Sequence, residues 1–343
     1  MKAPTPEFQL GFLTKIQRLF SEGDFTATYK YALLISIADI AVQHGKDNND
    51  HLVIPHRSIG GKFIELYWQQ SAPFNHGILV QNLGAQAAIV SKIAEFRSKN
   101  PNLNAALSSK ALITAITATI VAQPIKFMQN LGGSKDSFLY ERSNGHITLL
   151  PGITYCLRRF QPLVQQLSRT HWIDHIKGNK QNIQLIGPDN DLESFLFETS
   201  RRSLEVIGSG LRKISSKCMY CGNTVSDVDV DHFIPHSLYP RDLAHNFVLT
   251  DPKCNRSKSD TLAAKSHLQR WLEFVEKNSD NLSEIGNSAG VITEQATMNA
   301  VAQWGYQNAL ASESHAWIKP KAYEPVNASY LDCWTDLQTG PIK

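Results

Sequence analysis

The sequence predicts an α+β protein with three parts: a mostly helical N-terminal domain, a small core of strands and a helix, and a helical C-terminal extension. Apolar residues at helical spacing fill the first half and return near the C-terminus, and a dense run of Cys, Asp, His and Asn lies between them. At 343 residues the chain is longer than one simple core usually organises. We therefore predict domains at residues 1–200, 201–265 and 266–343.

Composition narrows the class of protein without naming a function. Hydrophobic residues make up 42% and charged residues 19% of the chain, which excludes a disordered segment or a fibrous rod. The formal net charge of +3 permits contact with a polyanion and does not establish it. No glycine-rich phosphate loop of the nucleotide-hydrolase type is present, so an ATP-driven motor is not supported.

No segment predicts export or membrane insertion. The most apolar stretch, residues 111–122, is shorter than the roughly 20 residues that span a bilayer, and we predict a buried helix there. The N-terminus lacks the apolar run of a secretory signal. Five cysteines in a chain without that signal indicate a reducing, cytoplasmic location, with cysteine used as a metal ligand or for packing.

The helical domain is interrupted by one β element. We predict helices over 27–42, through Phe63 to Trp68, through Ile89 to Phe96, from residue 153 with a break at Pro162, and through Leu196. Asn144-Gly145 between two strand-like runs predicts a hairpin. In the extension, Leu268, Trp271, Leu272 and Val275 predict one more amphipathic helix, and the polar residues 278–290 predict a loop.

The run from residue 217 to 260 contains a candidate zinc site. Cys218 and Cys221 have the spacing of a zinc knuckle, and Asp251 and Cys254 repeat the same gap about thirty residues later. Three thiolates and one carboxylate would complete a tetrahedral structural Zn²⁺ site, although Asp is an uncommon ligand in such sites. The alternative is that the cysteines only pack, and a disulfide across so short a spacing is disfavoured in a reducing compartment.

A strand ending in DVDHFIP follows the cysteines. Adjacent Asp231 and His232 offer a hard oxygen ligand beside a titratable imidazole, which suits metal-assisted hydrolysis of a phosphodiester. Taken alone the pair is weak, because a single histidine more often has a structural role. Farther on, HNFVL and CNRSKSD place Asn246 and Asn255 around a second short strand and at the start of a helix.

This order of motifs resembles the HNH endonucleases of the ββα-metal family, and DVDH with NRSKSD is especially similar to the HNH domain of the CRISPR RNA-guided nucleases. The resemblance implies that His232 is the general base and that Asp231 and Asn255 bind one catalytic Mg²⁺ or Mn²⁺. It also implies that Asn246 braces the loop bearing His232. The motif assigns no role to His245, and we predict that His245 and His236 are structural or face the substrate. The helical first half more loosely resembles bacterial proteins in which such helices precede an HNH nuclease.

Several basic residues are candidate contacts to nucleic acid, and a solvated helix face explains them equally well. They are Arg158, Arg159, Arg201, Arg202, Arg212, Lys213, Arg256 and Lys258.

The sequence thus predicts a metal-dependent HNH endonuclease that nicks or cleaves DNA, with double-stranded DNA as its substrate. Family analogy suggests a role in anti-phage or mobile-element defence, with protein partners from such a system. Two alternatives remain: a noncatalytic zinc-knuckle module that binds nucleic acid, and a subunit activated by a partner. Asp231, His232 and Asn255 together favour catalysis, because a scaffold needs only the cysteines.

Overall fold

Two compact units divide the chain, Met1–Glu198 and Thr199–Lys343. The computed structural model describes residues 3–187 and 191–334. Helices dominate and the strands form small antiparallel sheets, so the predicted α+β class is confirmed. The division into three functional domains at 1–200, 201–265 and 266–343 remains a prediction from the sequence.

Helices make up most of the first unit. They are α1 (Pro6–Glu22), α2 (Tyr29–His44), α3 (His56–Trp68), α4 (Ala88–Lys99), α5 (Leu103–Ser108), α6 (Lys110–Ala122), α7 (Pro124–Phe127), α8 (Ile153–Arg159), α9 (Gln161–Gly178), α10 (Ile183–Ile186) and α11 (Leu192–Phe197). The predicted helices at 27–42, 63–68 and 89–96 correspond to α2, α3 and α4, and the restart at Pro162 corresponds to the first turn of α9.

Helix α2 is the centre of this unit, because every residue from Lys30 to Val42 is buried. It packs against α3, α8 and α9. A carboxylate in such a place needs hydrogen bonds, and Asp39 accepts them from Gln161 Nε2 at 3.0 Å and from Gln165 Nε2 at 2.8 Å. The apolar pattern of α2 therefore tolerates one acidic residue because α9 supplies its donors.

Helix α6 is only partly buried, which corrects the prediction of a buried helix at residues 111–122. It buries only one row of side chains, Leu112, Ile116 and Ile120, while Val121 is exposed. The residues on its other faces are mostly alanine and threonine, which are small and are often exposed to solvent. No helix in the two described ranges is long and apolar enough to cross a membrane.

The predicted hairpin forms one edge of a three-stranded sheet. Its strands are β4 (Tyr140–Arg142) and β5 (His146–Leu149), and Gly145 has the positive φ that the turn requires. Strand β1 (Leu52–Pro55), which the sequence did not predict, pairs with the other side of β5. A second small hairpin joins β2 (Asn130–Leu131) to β3 (Ser134–Lys135).

Arg158 lies inside the first unit and is not a surface contact for nucleic acid. Its guanidinium donates to Asp47 Oδ1 at 2.6 Å and to the carbonyl of Val42 at 2.8 Å near the C-terminal end of α2. A cation there satisfies carbonyls that the helix itself leaves unpaired. The burial of Arg158 removes it from the predicted DNA-contacting set.

The second unit contains the remaining elements. They are α12 (Arg201–Ile214), β6 (Asp229–His232), β7 (Phe247–Thr250), α13 (Pro252–Lys258), α14 (Lys265–Lys277), α15 (Ser279–Ala289), α16 (Gln295–Ala311), β8 (His315–Lys319) and β9 (Ala322–Pro325). The predicted amphipathic helix at 268–275 corresponds to α14, which buries all four of the named apolar residues.

Helix α15 replaces the loop predicted at 278–290. It buries Leu282, Gly286 and Ala289, which share one face at helical spacing. A Cβ on Gly286 would lie 2.5 Å from the Cβ of Ala244, so glycine permits this helix to approach the segment before β7 closely. The hairpin of β8 and β9 also lies outside the prediction of a purely helical extension.

Replacing Arg158 tests the packing of the first unit. We expect Arg158→Ala to lower the free energy of unfolding by about 2–4 kcal/mol, because buried carbonyl groups lose their donor and Asp47 loses its partner. Hydrogen exchange of α2 amides across a denaturant series measures this. Arg142→Ala, which truncates an exposed arginine, is the control. Equal protection of α2 in both variants would contradict the assigned role of Arg158.

Candidate active site and metal centre

Strand β6 carries two of the predicted catalytic residues, Asp231 and His232, while Asn246 directly precedes β7 and Asn255 lies on α13. Strands β6 and β7 pair antiparallel, with Asp231 opposite Val248 and His232 opposite Phe247. Neighbouring residues of a strand point to opposite faces. Asp229 and Asp231 therefore share one face of β6, and His232 lies on the other.

Helix α13 covers the face that carries the two carboxylates. It begins at Pro252 after Asp251, whose side chain accepts a hydrogen bond from the Lys253 amide at 2.7 Å and caps the helix. Asn255 Nδ2 donates to Asp229 Oδ2 at 3.0 Å. Lys258 Nζ, one turn farther along, lies 3.1 Å from Asp231 Oδ2. Each carboxylate thus has its own partner on the helix.

Lys258 is buried, which corrects the prediction that it contacts phosphate from a helix surface. Its side chain is 0% exposed, and Nζ also donates to the carbonyl oxygen of His232 at 3.0 Å. Burial lowers the pKa of Lys258, and the charge of Asp231 opposes that shift. The ammonium therefore serves as the internal counter-charge of Asp231.

Asp231 keeps one oxygen atom without a protein partner. Oδ2 accepts hydrogen bonds from Lys258 and from the Tyr220 hydroxyl at 2.6 Å. Burial and the neighbouring charge of Asp231 raise the pKa of Tyr220, which keeps this hydroxyl protonated and donating. Within the described residues, Asp231 Oδ1 and Asn255 Oδ1 have no hydrogen-bonding partner. These two oxygens are available to a cation.

The imidazole of His232 has one nitrogen engaged and one unengaged among the described residues. Nε2 lies 2.6 Å from Asp242 Oδ1, and no contact is made by Nδ1. The ring packs against Phe247 at a tilt of 44°, with 4.6 Å between the centroids, and the side chain is 23% exposed. The arrangement can take up a proton at Nδ1 from a molecule that reaches it from solvent.

Asn246 ties the chain after His232 to the start of β7. Its Oδ1 accepts from the Ile234 amide at 2.8 Å, and its Nδ2 donates to the Ile234 carbonyl at 2.9 Å. The backbone carbonyl of Asn246 accepts from Phe233 N at 2.8 Å. These are the contacts that bracing the His232 loop requires. His245 is fully buried next to it, which fits a structural role.

Three cysteines form the other cluster. The Sγ atoms of Cys218, Cys221 and Cys254 all lie within 4.8 Å of one another. Gly222 follows Cys221 with a φ of +75°, and its amide donates to the Cys218 carbonyl at 3.0 Å, which closes the knuckle turn. Burial and the two neighbouring thiols raise the pKa of Cys254 to about 12. A divalent cation between the thiols would reverse that shift.

Asp251 does not join the cysteines. Its carboxylate caps α13, and it is not among the side chains within 4.8 Å of one another. The predicted set of four ligands is therefore brought together only in part. Three thiolates suit Zn²⁺, and water or a rearranged Asp251 is left as the fourth ligand.

The remaining basic candidates of this unit are exposed. Helix α12 buries Ile207, Gly208 and Leu211 on one face, and its arginines and lysine lie at its two ends. The exposed residues are Arg201, Arg202, Arg212, Lys213 and Arg256. Arg202 and Lys213 line a groove of about 950 Å³ that Glu205 and Glu284 also line, so the surface has mixed charge.

Three residues of the site were missed by sequence reasoning. Asp229 had a signal, because it is two residues before Asp231 and so shares its strand face. Tyr220 and Asp242 had none, because a loop residue's contacts depend on how the chain folds back.

Two different cation sites fit these residues. Asp229, Asp231 and Asn255 offer carboxylate and amide oxygens, which Mg²⁺ and Mn²⁺ prefer. The cysteine cluster offers soft thiolates, which Zn²⁺ prefers. Asp231 of the oxygen set is adjacent in sequence to His232, and the cysteine set joins the knuckle to α13.

Comparison with known families agrees with this geometry. Residues 218–264, from the first knuckle cysteine to the residue before α14, match the model of the HNH endonuclease family. The second unit therefore contains an HNH endonuclease domain.

A second family model matches the first unit. Residues 9–190, more than half of the chain, match the family described as a domain of unknown function, DUF8808. The chain belongs to this family. The search of curated proteins and the search of solved structures found no match.

The cysteine cluster predicts a structural zinc ion. We expect roughly one zinc per chain in freshly purified protein, and loss of zinc with a lower Tm in Cys254→Ser, because the knuckle loses its attachment to α13. Elemental analysis and thermal unfolding measure both. Cys156→Ser, in a buried position of the other unit, is the matched control and should keep its zinc. Folded protein without zinc would contradict the assignment.

Proposed function

We propose that the second unit is a metal-dependent endonuclease that hydrolyses phosphodiester bonds of double-stranded DNA. One observation carries the proposal: at the end of β6, an imidazole with an unengaged nitrogen directly follows in sequence a carboxylate with an unengaged oxygen. The HNH match covers both strands and α13. A noncatalytic zinc module would need only the cysteines and leaves this arrangement unexplained.

His232 is the general base in this proposal. Nδ1 takes a proton from a water molecule, the water oxygen forms a bond to phosphorus, and the bond from phosphorus to the 3′ oxygen breaks. The 3′ oxygen leaves and acquires a proton from solvent. The products are a 5′-phosphate and a 3′-hydroxyl.

Asp231 and Asn255 would hold the catalytic Mg²⁺ or Mn²⁺ through their unengaged oxygens. Such a cation, when bound, stabilises the negative charge that develops on the phosphate oxygens. Asp229 keeps the amide of Asn255 oriented through its hydrogen bond at 3.0 Å. Lys258 holds the Asp231 carboxylate in place.

The site is proposed to be of the subtype found in CRISPR RNA-guided nucleases, with Asn255 where other HNH enzymes have a histidine. The exposed arginines and lysine of α12, with Arg256, are proposed contacts to DNA phosphates. The first unit is proposed to select or restrain the substrate. A defence role, with partners from such a system, is proposed from family analogy alone.

Supercoiled plasmid tests the proposed activity. We expect Mg²⁺- or Mn²⁺-dependent nicking before linearisation, because one active site cuts one strand. His232→Ala should slow cleavage roughly 100-fold or more. Agarose gels over time measure both rates, and circular dichroism checks that the variant is folded. A folded His232→Ala protein that cleaves at the wild-type rate would remove His232 from the role of base.

Metal titration of the cleavage rate tests the two ligands. Asp231→Asn should raise the half-saturating Mg²⁺ concentration about 10-fold or more, and Asn255→Ala should raise it less, because Asp231 supplies charge and Asn255 a neutral oxygen. Asp231→Asn is preferred to Asp231→Ala because its amide oxygen can still accept from the buried Lys258.

Two further variants sharpen the titration. Asn255→His offers the ligand of other HNH enzymes, and we expect it to keep more activity than Asn255→Ala. Asn281→Ala, an exposed position on α15, is the control. An Asn255→Ala protein with unchanged metal dependence and unchanged maximal rate would show that Asn255 is not a ligand.

A further inference from the structure

Asp242 lies against the nitrogen of His232 that the proposed reaction does not use. The distance from its Oδ1 to His232 Nε2 is 2.6 Å. Its side chain is only 13% exposed, and the neighbouring imidazole of His236 lies with its centroid 5.2 Å from that of His232. A carboxylate so little hydrated needs partners, and this one has two.

The second partner of Asp242 is the Thr199 hydroxyl, which donates to Oδ2. The backbone of Asp242 is also held, because its carbonyl accepts from Ile292 N at 3.3 Å and Leu243 pairs with Ile292. Thr199 and His232 thus hold the carboxylate of Asp242, and Ile292 holds its backbone. Burial opposes its ionisation, but the hydrogen bonds with His232 and Thr199 and the nearby imidazoles of His232 and His236 together outweigh burial, so the pKa of Asp242 is lowered. Asp242 therefore accepts at both oxygens.

The contact has a chemical consequence for His232. A neutral imidazole carries its proton on one nitrogen only. An acceptor at Nε2 selects the form with the proton on Nε2, which leaves the lone pair of Nδ1 exposed. The same carboxylate stabilises the imidazolium that forms when Nδ1 takes a proton.

We propose that Asp242 is a positioning residue for His232, holding its imidazole in the orientation and tautomer in which Nδ1 is the base. Thr199 in turn orients Asp242. The catalytic consequence rests on the proposed nuclease function, whereas the orientation and the tautomer do not.

Cleavage kinetics test the catalytic consequence. At saturating DNA and Mg²⁺, Asp242→Ala should lower the single-turnover rate roughly 100-fold, with the DNA concentration for half-maximal rate unchanged, because only the base is affected. Asp242→Asn should lose less, since its amide oxygen can still accept from Nε2. Asp280→Asn, an exposed carboxylate of the same unit, is the control and should cleave normally.

A double variant separates positioning from a general structural role. Residues that act as a unit have non-additive effects. In a His232→Ala background, Asp242→Ala should therefore cause no further loss. A full additional loss, or a wild-type rate for Asp242→Ala when His232→Ala is inactive, would overturn the proposal while leaving the nuclease function standing.

The tautomer can be measured without any activity. Long-range ¹H–¹⁵N correlation spectra of protein with ¹⁵N-labelled histidine distinguish the two neutral forms, and the His232→Gln spectrum identifies the signal among the 12 histidines. At alkaline pH we expect the proton on Nε2 in the wild type and a mixture in Asp242→Ala. A wild-type proton on Nδ1 would overturn the proposal even in a protein that cleaves nothing.

Discussion

Strand β6 distributes its side chains alternately between two faces, and the proposed active site depends on that alternation. Asp229 and Asp231 meet α13, while His232 meets Asp242 and Phe247. A shift of one residue in the pairing with β7 would exchange these faces and separate every one of these pairs. The register is held by Asn246, which bonds both backbone groups of Ile234, and by the Met219 amide, which donates to the Leu249 carbonyl at 2.9 Å.

Buried charge is the main energetic cost of this arrangement. Lys258 of α13 and Asp231 of β6 form an ion pair between the helix and the strand, and Tyr220 donates a hydrogen bond to the same carboxylate. Such a pair contributes little net stability. Removing one partner is nevertheless destabilising, because the other charge is left unpaired and poorly solvated. The positions of Asp231 and Lys258 therefore depend on each other. The cysteine cluster separately joins the knuckle to α13.

The sequence predicted much of this because the chemistry is local. Asp231 and His232 are adjacent, the cysteine pair has a characteristic gap, and α2 has an apolar pattern that only a central helix needs. What it missed depends on chain folding. Asp242 contacts His232, which is ten positions earlier in the chain, and the spacing predicts Asp251 as a zinc ligand although its carboxylate caps α13. The small polar residues of α15 predict a loop because they are typical of turns, whereas the packing of its buried face against α12 and Ala244 stabilises a helix.

In the proposed reaction, water activated by His232 attacks phosphorus and releases the 3′ oxygen. Single-turnover cleavage of a DNA duplex in ¹⁸O-labelled water, followed by mass spectrometry of the fragment ends, tests this step directly. We expect one ¹⁸O atom in each new 5′-phosphate and an unlabelled 3′-hydroxyl. Label on a 3′-phosphate, or cleavage without label at phosphorus, would contradict it.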